Sequence, residues 1–83
     1  MKIYDFNGKK NICGERIRIA RLTMHLSQSD LAARLQINNV IIERDSISRI
    51  EIGTRFVTDY ELKILSQILK VDVKWLLGLV DTP

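Results

Sequence analysis

The chain has little of what staples, breaks or decorates a small protein. Its 83 residues include one cysteine, one histidine and one proline. Cys13 has no second cysteine for an intramolecular disulfide, and Cys13 with His25 falls short of the four ligands of a structural zinc site. Neither a disulfide framework nor a metal nor another cofactor is expected, and a reducing, cytoplasmic setting fits. The proline is the last residue and the four glycines stand apart, so no segment reads as a low-complexity linker. No run of about 18 apolar residues exists to span a bilayer, and the start lacks the apolar stretch of a secretory signal. Self-similarity at a period of about 20–50 residues is absent too.

What is present is ordinary globular composition, 46% hydrophobic and 28% charged. A chain this short forms one domain and buries roughly 60–65% of its unfolded surface, which disfavours an enclosed substrate cavity and hence an enzyme. The net charge of +3 is unevenly spread. Residues 1–57 carry ten Lys or Arg against six acids, whereas residues 58–83 carry three against four. The basic surface belongs to the first two-thirds, as expected of a partner for nucleic acid.

Helical spacing dominates. Cys13, Ile17, Ala20, Arg21 and Met24 form one stripe of a helix over about residues 12–24, apolar except for Arg21. Ser27 and Asp30 have the spacing of a capping box that opens a second helix, about 28–36, with Leu31, Ala32 and Leu35 on one face. Residues 36–42 read as a loop with an extended part, because Asn38-Asn39 favours a turn and Val40-Ile41-Ile42 is β-branched. Ile47 and Ile50 then mark the inner edge of a short helix, about 44–51, that Gly53 ends. Thr58 and Glu61 box the start of a fourth helix through Leu62, Leu65, Ile68 and Leu69, and Asp72 caps a fifth that contains Val73, Trp75, Leu76 and Leu77. The expected fold is all-α, five helices and no sheet.

The outer edge of the third helix carries Arg44, Asp45, Ser48 and Arg49. An ordinary solvated face would look the same, and periodicity alone favours that reading. The pattern nevertheless suits a helix inserted in a DNA major groove, about 12 Å wide, where side chains must both donate and accept hydrogen bonds. Arg44 and Arg49 can each grip guanine O6 and N7, Asp45 can accept from cytosine N4, and Ser48 can do either.

The linked motifs Leu26-Ser27-Gln28-x-x-Leu31-Ala32-x-x-Leu35, Ser46-Ile47-Ser48-Arg49-Ile50-Glu51-x-Gly53-x-Arg55, Asp59-x-Glu61-Leu62 and Val71-x-Val73-x-Trp75-Leu76-Leu77-Gly78 resemble the helix-turn-helix domain of Cro and lambda-type phage repressors, the XRE family. The resemblance spans about residues 11–78. It implies a compact lambda-repressor-like domain in which helices two and three form the motif. The function it implies is sequence-specific binding of double-stranded DNA by a transcriptional regulator, a repressor working as a homodimer on a palindromic operator. By the same resemblance, Arg44, Asp45, Ser48 and Arg49 read bases, while Gln28, Thr54 and Arg55 contact phosphates and set affinity rather than sequence preference. Arg21 and Glu51 match a family pair that bridges helix one to the end of helix three. A carboxylate partner for Arg21 is expected independently, since an unpaired charge in an apolar stripe is costly. Such a protein would be bacterial or phage-encoded and associated with the nucleoid. The chain departs from short-turn members by about five extra residues within 36–44, which makes it a long-turn variant.

Other residues have competing readings. Ser27, Ser29, Asp30 and His25 have the residue types of a hydrolytic triad, but neighbours at a helix start rarely converge and no oxyanion-hole motif accompanies them. Cys13 reads as a small core residue, with redox chemistry the alternative. Val73 and Trp75 form either core or a dimer contact, since one short helix is hard pressed to bury so much apolar surface. Residues 1–10 are an arm whose lysines touch phosphates or whose Ile3, Tyr4 and Phe6 pack on a partner, and residues 79–83 are a tail. The rival function with the same fold is an antitoxin-like module that binds another protein through an exposed Trp75. RNA binding is a weaker rival, because aromatics for base stacking are scarce on the basic face.

Overall fold

The computed structural model describes residues 5–83. Five helices follow in order: α1 (Gly14–Thr23), α2 (Gln28–Ile37), α3 (Arg44–Ile52), α4 (Asp59–Leu69) and the single-turn α5 (Val73–Leu76). Among the described residues there is no strand, only an isolated bridge between Phe6 and Lys9. Each element lies where its spacing places it, with ends that move by one or two residues.

Local chemistry explains the boundaries. Ser27 accepts from the Asp30 amide (2.9 Å) while Asp30 accepts from the Ser27 amide (2.9 Å), and Thr58 with Glu61 repeats the arrangement at α4. Asp72 accepts from the Lys74 amide at 2.8 Å. Gly53, with φ +90°, closes α3 in the left-handed conformation that suits glycine.

The core is built from the inner faces of all five helices. Ile17, Leu31, Leu35, Ile47, Ile50, Leu65 and Leu76 are essentially inaccessible. Residues 38–43, between α2 and α3, are longer than a tight turn but not slack. Asn39 takes a left-handed φ of 64°, and the Asn38 side chain bonds back to the Arg34 carbonyl. Val40 and Ile42 then insert into the core while Ile41, 69% exposed, points out. Alternate residues of an extended segment face opposite ways, so the β-branched run is anchored on one side by its own pattern.

Trp75 is also core: only 7% of its surface is accessible. Of the two readings of this ring, core or dimer contact, its burial supports core. α1 lies against α5, and Arg16 from α1 donates to the carbonyls of Trp75 (2.7 Å) and Val80 (3.0 Å) while its guanidinium covers the indole at 5.0 Å. One long side chain thus caps the end of α5 and roofs its aromatic ring.

Candidate nucleic-acid interface

The inner edge of α3 fixes its orientation. Ile47 and Ile50 are buried against α1 and α2, and Glu51, at the helix end, receives two bonds from Arg21: Nε to Oε2 at 2.6 Å and Nη2 to Oε1 at 2.9 Å. Both side chains are buried, and the remaining Arg21 nitrogen, Nη1, donates to the Leu26 carbonyl at 2.8 Å. The carboxylate holds the Arg21 proton more firmly than usual, first through the hydrogen bond itself, in spite of burial. Gln28, the first residue of α2, donates from Nε2 to Glu51 Oε1 at 3.1 Å. One carboxylate therefore ties together α1, the start of α2 and the end of α3, and Gln28 braces the third helix.

With that edge held, the opposite edge faces outward. Arg44, Asp45 and Arg49 are exposed and Ser48 is half-buried. Arg44 and Asp45 pair loosely at 3.3 Å in full solvent, which gives Asp45 a donor beside it. Arg49 Nη2 rests on the Ser46 hydroxyl at 3.0 Å. Exposed pairs of this kind are worth little, about 0–1 kcal/mol, so these side chains can be redirected to a ligand. The residues that were expected to read bases do share one face.

The loop after α3 is more committed than its sequence suggests. Thr54 is exposed and its hydroxyl lies 3.4 Å from the Arg49 carbonyl. Arg55, though, donates to both oxygens of Glu61, at 3.1 and 3.2 Å, and to the Phe56 carbonyl at 2.9 Å. Glu61 is 4% exposed, and burial pushes its carboxyl up, but the Arg55 guanidinium and the Thr58 amide outweigh that and hold it below its ordinary range. Arg55 is thus an anchor between the loop and α4 as well as a cation near the interface.

Three residues that position this surface escaped sequence reasoning. Asn11 accepts from the Gly14 amide at 2.8 Å and donates to the Ile50 and Arg55 carbonyls at 3.0 and 2.8 Å, which joins the start of α1 to the last turn of α3 and to the loop after it. Its only signal was an amide residue just ahead of a helix. Gly14 sits against α3 so closely that a Cβ there would collide with the Ile50 carbonyl oxygen. Arg16 holds α5, as above. By contrast, the Ser27 and Asp30 side chains are both engaged in capping α2, and His25 is exposed on a left-handed turn. No group of His, Cys, Asp and Glu among the described residues is placed to hold a metal. No helix among the described residues is long and apolar enough to cross a membrane.

The family comparison agrees with this geometry. No curated protein matches the chain. A family model described as helix-turn-helix matches residues 17–76, from the middle of α1 through α5. That span contains both braced helices, the long turn and the outward polar edge of α3. The chain therefore belongs to the helix-turn-helix family of Cro and lambda-repressor-like DNA-binding domains, the XRE family.

Proposed function

We infer that the protein is a sequence-specific transcriptional repressor that binds a palindromic operator as a homodimer, in the cytoplasm of a bacterium or a phage-infected cell. The observation that carries this reading is the polar outer edge of α3, exposed while its inner edge is fixed by a buried ion pair. A helix held so rigidly on one side and so open on the other suits groove insertion. Arg44, Asp45, Ser48 and Arg49 read base edges, and Gln28, Thr54 and Arg55 meet phosphates on either side. Two-fold symmetry puts the half-sites about one helical turn, 10–10.5 base pairs, or a multiple of it apart. Val73, half-buried on α5, lies at the dimer contact, while Trp75 on the same turn is buried. The antitoxin-like alternative loses the exposed tryptophan that would have favoured it.

The test is selection of bound duplexes from a random-sequence pool at about 150 mM salt, where non-specific binding is weak. An enriched palindrome supports the reading, and enrichment of nothing refutes it. On the selected site, Arg49→Ala is expected to cost roughly 1–3 kcal/mol and relax preference at one base pair. An equal loss on every sequence would remove Arg49 from base reading.

A further inference from the structure

The edge of the molecule beside α3 combines a requirement of the proposed function, free positive charge at the phosphates, with two lysines that no carboxylate holds among the described residues. The requirement arises because Arg55, the cation of the loop after α3, is held by both oxygens of Glu61. A guanidinium neutralised by a buried carboxylate releases few counterions when a phosphate approaches. The cations are Lys9 and Lys10. Both are exposed, and neither has a carboxylate within salt-bridge distance among the described residues, although Asp5 lies on the same edge.

These lysines are not on a loose arm. Phe6 and Lys9 exchange backbone hydrogen bonds of 2.6 and 3.0 Å around Asn7 and Gly8, whose φ values of 53° and 81° are those of an Asn-Gly hairpin turn. The hairpin is fastened to the end of the third helix: the Lys10 amide donates to the Gly53 carbonyl at 2.8 Å, and Lys9 methylenes lie over Gly53. Lys10 Nζ stands 5.2 Å from the Phe56 ring centroid, in the loop that carries Thr54 and Arg55. Backbone fastening, stem packing and a cation–π contact therefore deliver two cations to the same edge as the loop expected at the phosphates.

We propose that the hairpin of residues 6–10 is a second DNA-backbone grip, in which Lys9 and Lys10 bind phosphates flanking the groove entered by α3. It supplies the free positive charge that pairing with Glu61 removes from Arg55. The proposal rests on the DNA-binding reading above and adds to it a site whose contribution is to affinity and salt dependence, not to sequence choice.

Salt titrations of binding to a mixed-sequence 24-base-pair duplex, roughly two helical turns, test it with K9Q/K10Q, each single variant, and K63Q on α4 as a remote charge control. The double variant is expected to make the slope of log K against log salt shallower by about 1.8, each single variant by about 0.9, and K63Q by nothing. At about 0.1 M salt the double variant binds at least tenfold more weakly. Slopes that follow charge removed near the hairpin, with the urea midpoint unchanged, separate phosphate contact from lost stability. An unchanged slope in K9Q/K10Q, with wild-type binding intact, overturns the hairpin grip alone. Failure of the wild type to retain any duplex at about 50 mM salt overturns the DNA-binding reading and the grip with it.

Discussion

At the scale of single residues, backbone clearance and burial set the tolerances. Gly14 lies where α1 crosses α3, and any side chain there meets the Ile50 carbonyl. Backbone yields less readily than the end of a flexible side chain, so Gly14→Ala is expected to cost at least the roughly 1–3 kcal/mol of ordinary overpacking. A urea melt that reaches the wild-type midpoint would show that the helices simply separate to make room. Cys13 is a different case, a thiol that burial pushes up to about 11. Its thiolate is scarce at neutral pH, so alkylation at pH 8 should be slow in the native protein and fast in denaturant. Rapid native labelling would restore the redox alternative that its sequence context left open.

Single elements are held by polar junctions as much as by apolar faces. The loop between α3 and α4 is stitched by Arg55 and Glu61, so Arg55→Ala leaves a nearly buried carboxylate without its cation and should cost about 1–3 kcal/mol. The loss is one of stability, measurable without any DNA present. The same pair imposes a pH dependence. Because the folded Glu61 titrates below its ordinary value of 4.5, the unfolded chain takes up its proton first as the solution is acidified. The stabilisation is complete above that value and is lost as pH falls through the lower, folded value. Stability curves for wild type and Glu61→Gln are expected to be furthest apart near neutrality and to converge as the solution is acidified below 4.5. Parallel curves would mean that folding leaves the affinity of Glu61 for its proton unchanged.

For the whole molecule, the decisive junction is the Arg21–Glu51 pair, because it involves three helices at once. Removing one member leaves the other as an uncompensated buried charge, and Arg21→Ala is expected to cost on the order of 3–5 kcal/mol, a large fraction of what a domain this small possesses. Thermal unfolding followed by helical circular dichroism checks this. A cost below about 1 kcal/mol would show that water reaches Glu51 when the arginine is gone.

Much of this architecture was legible in the residues themselves. Helix periodicity, capping pairs such as Ser27 with Asp30, and the glycine that ends α3 are local devices, encoded within a few residues of where they act. The need of Arg21 for an acid was likewise visible, because a cation in an apolar stripe is an unsatisfied demand. Tertiary structure decided whatever depends on neighbours remote in sequence. It buried Trp75 under Arg16, across 59 positions, and so chose core over the alternative of an exposed contact. It gave Arg55 to Glu61 and brought Lys9 and Lys10 beside Gly53 and Phe56. Local pattern reports which faces a helix has, but which charges are neutralised and which stay free follows from three-dimensional packing, because electrostatic energy depends on distance through space and on burial, not on position along the chain.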